Sequence, residues 1–267
     1  MKKFASIALA GALAVSMTAP ALAATPALIS AKSPVITVNG VALDTSKLPQ
    51  VDGIPLRAFV EADQGSATWY PEENCSNFFT DDGGITVNFA DGSILVGDKT
   101  FTGAVAVEGV TFVPAEAVDA LSGVTVTKNG SDYAITTSSA DPMVKLAKSI
   151  RGELEMGNGM KNTAAQLEEY YGLKAENFES VIAYMPMMIS ADTIVLGKVA
   201  DGKMADVKEG LKAIQDQTIQ SFENYLPGPL EVAKNGEIVA NGDYVMLIMS
   251  SDNAKAIELF NAGVKNF

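Results

Sequence analysis

Two stretches of this chain are near copies of one another, and they constrain the shape of its first half. Ile54-Pro55-Leu56-Arg57-Ala58-Phe59 runs on to Gly65, and Val113-Pro114-Ala115-Glu116-Ala117-Val118 runs on to Gly123. In each, an apolar residue and a proline lead into a short helix with alanine at the same offset, and a glycine ends it. Proline presets the first helical φ, and glycine accepts the left-handed backbone that stops a helix. Around the copies lie alternating apolar runs beside tight-turn pairs: Ile36-Thr37-Val38 before Asn39-Gly40, Ile85-Thr86-Val87 before Asp91-Gly92, and Val124-Thr125-Val126 before Asn129-Gly130. That pattern predicts β-hairpins. Residues 35–138 are therefore expected to form a hairpin-rich domain with two short helices.

The second half changes period. Asp141-Pro142 offers a capping side chain followed by proline, and Met143, Leu146, Ala147, Ile150 and Leu154 then recur every three or four residues, which predicts a helix. A second helix is expected over Thr163–Tyr171, stopped by Gly172. Two apolar strands around 180–188 and 193–199 join through Ser190-Ala191-Asp192. A long helix from about Asp206 should bury Val207, Leu211, Ile214, Thr218, Phe222 and Tyr225, and Pro227 and Pro229 should end it. A hairpin across Asn241-Gly242 follows. The last helix, capped by Ser251 or Asp252, should bury Ile257, Phe260, Val264 and Phe267. Residues 139–267 thus read as a domain of about four strands and four helices, and the whole chain as α+β.

Charge and the missing residue types narrow the chemistry. The chain has 19 basic residues against 32 acidic ones, no histidine, and Cys75 as its lone cysteine. A net charge of −13 repels phosphate backbones, so nucleic acid is not an expected partner, and anionic lipid or wall polymer is disfavoured. Without an imidazole, Ser-His-Asp, Cys-His and histidine-zinc catalysis are closed. A single cysteine makes no internal disulfide.

The N-terminus reads as an export signal. Lys2 and Lys3 precede an apolar run to about Val15, and Ala21-Leu22-Ala23 gives a small-x-small cleavage site, so residues 1–23 are expected to be a signal peptide and 24–34 a linker. Ala24 stands where a lipoprotein would carry its acylated cysteine. No later segment is long and apolar enough for a membrane span. The expectation is a secreted or extracellular protein, held at the surface, if at all, without a covalent anchor.

Few residues suggest a site. Trp69-Tyr70 could stack on a sugar ring, or Trp69 could be the core tryptophan of a small domain. Glu72, Glu73, Asp81 and Asp82 are calcium candidates, since hard cations want clustered oxygens; the alternative is a set of solvated acidic turns. Met185, Met187 and Met188 could offer thioethers to Cu(I), but with Met246 and Met249 they also read as core. The stretch from Gly92 to Lys99-Thr100 misses a phosphate loop, because Asp98 intrudes and a hairpin continues. Glu168-Glu169 adds a third acidic pair, and adjacency does not set two carboxylates across a cleft as a glycosidase needs. No cofactor is expected.

Two resemblances follow from these residues. The doubled Pro-x-x-Ala helix followed by Thr68-Trp69 resembles the copper amine oxidase N-terminal-like, or stalk, domain of exported proteins from Gram-positive bacteria, over about residues 35–138. The resemblance implies a structural or surface-associated role. It implies no oxidase, which needs three histidine ligands and a cofactor tyrosine that Ser221-Phe222-Glu223-Asn224-Tyr225 does not provide. Tyr171-Gly172, Ala191-Asp192-Thr193-Ile194, Phe222 to Pro227 and Gly242-Asp243-Tyr244-Val245 resemble an uncharacterised domain of secreted and lipoprotein-like chains, with Thr193 where an acidic residue is expected. Together these readings predict a non-catalytic adaptor at the cell envelope that binds an envelope polymer or an exported protein. A carboxylate-dependent hydrolase acting on wall glycan or peptide is the alternative.

Overall fold

The computed structural model describes residues 34–157, 159–187 and 189–267, so the expected signal peptide and nearly all of the expected linker lie outside the described residues. The chain divides into two compact units, Met1–Thr137 and Ser138–Phe267. Both contain helices and strands, and the chain is α+β with a strand-rich first unit.

The first unit opens with β1 (Ile36–Val38) and β2 (Val41–Ala42), joined by the expected Asn39-Gly40 turn, where both residues have positive φ. Then come β3 (Ile54–Pro55), helix α1 (Leu56–Ala62), and a meander of β4 (Ser66–Tyr70), β5 (Cys75–Thr80), β6 (Gly83–Asn88), β7 (Ile94–Val96) and β8 (Lys99–Phe101). β9 (Val105–Val107), β10 (Val110–Val113), helix α2 (Ala115–Asp119), β11 (Thr125–Asn129) and β12 (Asp132–Thr136) complete it. The meander forms one five-stranded antiparallel sheet, while β11-β12-β1-β2 and β3-β10-β9 form two smaller ones. The near-copies meet directly: β3 pairs antiparallel with β10, with Ile54 opposite Val113, so the two residues that precede the two prolines are partners.

Alternation sorts the meander into two faces. Trp69, Phe78, Ile85, Val87, Ile94 and Val96 point into the core with Leu56, Phe59 and Val118. The other face carries the rung Thr68–Asn77–Thr86–Leu95–Thr100 across all five strands. β1 lies parallel to β12, and the closure is tied by a polar chain: Asn39 donates to Thr137 Oγ1 at 2.9 Å, and that hydroxyl donates to Asp63 at 2.7 Å. Tyr133 donates to Asp52 at 2.6 Å, and Lys128 reaches the same carboxylate at 3.2 Å.

The second unit begins with α3 (Pro142–Glu153), whose Asp141 cap accepts from Met143 N, and β13 (Gly159–Asn162). Helix α4 (Ala164–Tyr171) has the reciprocal Thr163–Gln166 capping box and a left-handed Gly172 at its end. β14 (Phe178–Pro186), β15 (Thr193–Val199), α5 (Met204–Phe222), α6 (Pro227–Lys234), β16 (Glu237–Asn241), β17 (Tyr244–Met249) and α7 (Asn253–Gly263) follow. The strands make one antiparallel sheet in the order β13-β14-β15-β17-β16. Both its faces are buried. Val195, Val245 and Leu247 pack with Leu211 and Ile214 of α5, while Ile194, Leu196, Met246 and Ile248 pack with Ala147 and Ile150 of α3 and Phe260 of α7. A sheet covered on both sides needs apolar residues at successive positions, which is why Val245–Met249 reads as an unbroken apolar run.

Four expectations need correction. β13 is a fifth strand; its sequence, Gly-Met-Lys-Asn, lacks the alternation of a half-buried strand because it is an edge, with Met160 exposed. Pro227 does not merely follow a helix but opens α6, sitting in its first turn where no amide is missed. Tyr225, expected in the core, lies past the end of α5 and is exposed. Phe267 is only partly covered and stacks edge-on against Tyr244 at 5.1 Å.

Two consequences are measurable, and Trp69, the single tryptophan, reports on the first unit by fluorescence. A Cβ on Gly65 would stand 2.1 Å from the Phe79 carbonyl oxygen, so Gly65→Ala should lower the stability of this unit by about 3 kcal/mol in urea unfolding. The hydrogen bond from Tyr133, with Lys128 beside it, holds the Asp52 carboxyl below its ordinary value. A depressed carboxylate stabilises the fold above its unfolded pKa of about 4 and loses that contribution as pH falls through the folded value. Asp52→Asn should therefore cost below about 1 kcal/mol at pH 7, as for a solvent-open pair, and soften the loss of stability below about pH 4.

Candidate functional site

Strand alternation separates the two residues that sequence put together. Trp69 turns inward and meets Phe89 edge-on at 5.3 Å, while Tyr70 turns outward. They cannot form one stacking surface. Trp69 instead walls a groove of about 200 Å³ with Phe78, Phe89 and Pro55, closed at one side by Gly109 of the β9–β10 turn and by Val110 and Thr111 at the start of β10. Helix α1 supplies its rim through Arg57 and Glu61, one turn apart and 3.6 Å from each other. Glu61 is the only carboxylate among the lining residues. The groove offers an apolar floor, the Ser76 side chain, and one neutralised charge pair.

The four calcium candidates do not assemble. Glu72 and Glu73 lie in the turn before β5, and Asp81 and Asp82 in the turn after it. The six residues of β5 hold these turns roughly 17 Å apart at about 3.3 Å per residue, too far to share an ion. Among the described residues no group of three or more acidic or cysteine side chains is placed to hold a metal. Glu168 of the third acidic pair accepts from the Ala175 amide at 3.1 Å, a structural use. The methionines divide: Met185, Met246 and Met249 are buried, Met246 on the opposite sheet face from the other two, whereas Met187 is exposed. Met188 lies outside the described residues. The near-miss phosphate loop is the β7–β8 hairpin, turning at Gly97-Asp98, and Asp252 caps α7 through the Lys255 amide.

The second unit carries a polar hollow that sequence reading did not find. About 280 Å³ in volume, it lies between the turn at Lys174–Asn177 and the start of α5, with Lys203, Asp206 and Glu209 on its helical side. Lys203 caps nothing with its side chain and sits 3.6 Å from Asp206. Asn177 is buried there, and its Oδ1 has no hydrogen-bond partner. Thr193, the departure from the expected acid, is fully enclosed opposite Met249, and its hydroxyl oxygen also lacks a partner. An ionised carboxylate there would face a severe desolvation cost, which a hydroxyl largely avoids.

Cys75 is buried, and its thiol points to Glu73 at 3.7 Å. Burial, and then the Glu73 carboxylate, push the thiol above its ordinary pKa, so the reactive thiolate is scarce. At pH 8, iodoacetamide should label Cys75 in the native protein slower than in denaturant by about tenfold or more. Equal rates would show an open thiol.

Comparison with known proteins places one segment of the chain. A family model described as "Domain of unknown function (DUF4358)" matches residues 153–250, so the second unit contains an uncharacterised domain. The matched span covers β13 to β17 with α4, α5 and α6, and leaves all but the last residue of α3, and the whole of α7, outside. No curated protein and no solved structure matches the chain.

Proposed function

We propose that this is an exported, non-catalytic binding protein of the cell envelope, its first unit a copper amine oxidase N-terminal-like module and its second the domain of unknown function. The export signal read in residues 1–23 and the acidic balance of the chain support a surface partner that is neither nucleic acid nor anionic polymer.

The observation that carries this reading is the groove beside Trp69. An apolar floor of aromatic rings, with a single rim carboxylate already paired to Arg57, suits recognition of an extended apolar segment of an exported protein. A hydrolase would need a second carboxylate across the cleft, and the lining offers only Glu61.

Crosslinking and mass spectrometry with the full chain on intact producing cells tests the reading. A captured partner should be lost when Thr111→Trp fills the groove from its rim, and Arg57→Ala should weaken capture by about tenfold, in the range of an interface anchor. Capture indifferent to both substitutions would refute it.

A further inference from the structure

The outward face of the five-stranded meander is unlike the rest of this acidic molecule. At every paired position on that face, from β4 to β8, the side chain is uncharged. Carboxylates border it in the turns at its ends, Glu73 beside Cys75 before β5 and Asp81 and Asp82 after β5. Its middle is a row of hydroxyl and amide groups, Thr68, Asn77 and Thr86, on three adjacent strands. Aromatic rings flank that row: Tyr70 is 38% exposed and Phe79 46% exposed.

The two rings are set for stacking. Tyr70 lies opposite Cys75 and Phe79 opposite Ser66, so their rungs are four residues apart, or about 13 Å along the strands. Phe79 pairs across to Gly84, and a Cβ at position 84 would come 2.7 Å from its Cε1. The glycine thus leaves room for the ring to lie over the neighbouring strand, with its other side toward solvent. Between the rings, Asn77 Oδ1 is enclosed and has no hydrogen-bond partner, so the amide oxygen lacks a donor.

We propose that this face binds a neutral glycan, with Phe79 and Tyr70 stacking on sugar rings and Thr68, Asn77 and Thr86 bonding to the hydroxyls between them. A protein partner is the poorer fit. Interface cores are more apolar and depleted in serine, whereas here Leu95 is the one aliphatic side chain among hydroxyl and amide groups. The absence of charge favours a neutral polymer over an acidic one, which the net charge of −13 would repel.

The test is isothermal titration of the full chain with β-1,4-linked tetramers of N-acetylglucosamine and of glucose, beside a glucuronate tetramer. At least one neutral tetramer should bind and the acidic one should not. Phe79→Ala should weaken binding by about tenfold or more, the loss of one stacked ring, with Trp69 fluorescence unchanged. Gly84→Val, which takes the ring's resting place, should weaken it as well, and Arg57→Ala in the groove should not. Three results would overturn the proposal: no neutral tetramer binds, binding survives Phe79→Ala, or sedimentation shows a dimer that Phe79→Ala dissociates. If glycan binding fails while Thr111→Trp still abolishes partner capture, the groove reading stands alone.

Discussion

How many faces of each sheet are buried is the constraint on which the rest of this molecule depends. A strand sends successive side chains to opposite sides, so a sheet with one covered face must alternate, and a sheet with two must be apolar throughout. The meander of the first unit follows the first rule, and the central strands β15 and β17 of the second follow the second. With no disulfide to hold either unit, this burial supplies the cohesion. It also decides exposure. Trp69 is a wall of a groove and Tyr70 a surface group only because they are neighbours on a strand.

The near-copies show how a repeated local signal becomes a tertiary contact. Each carries its own proline, helix and glycine, yet neither short strand that leads into a copy could stand alone. Pairing Ile54 with Val113 lets each copy satisfy the other, and buries Leu56, Phe59, Ala117 and Val118 in one core. The copies are not equivalent in use. Arg57 and Ala58 line the groove, whereas Ala117, which matches Ala58, is wholly buried.

Much of the local structure was legible because short-range chemistry fixes it. Asn39-Gly40 can take positive φ at both positions, Thr163 and Gln166 can cap each other's amides, and Asp141 can hold the first turn of α3. Edge elements were harder. β13 has no alternating pattern, since pairing with β14 rather than burial maintains it, and α6 begins at a proline that equally marks an end. The acidic pairs looked like a cluster because they lie close in sequence, but β5 stands between them.

By itself the sequence determined an α+β chain rich in hairpins, its caps and turns, and the exclusion of imidazole chemistry, because each depends on residue type and near neighbours alone. Only the tertiary structure decided what faces what: the parallel closure of β1 on β12, the groove walled by Trp69, the enclosure of Asn177 and Thr193, and the uncharged outer face of the meander. Those features join residues distant along the chain. Their register is set by burial across whole sheets, which no local spacing encodes.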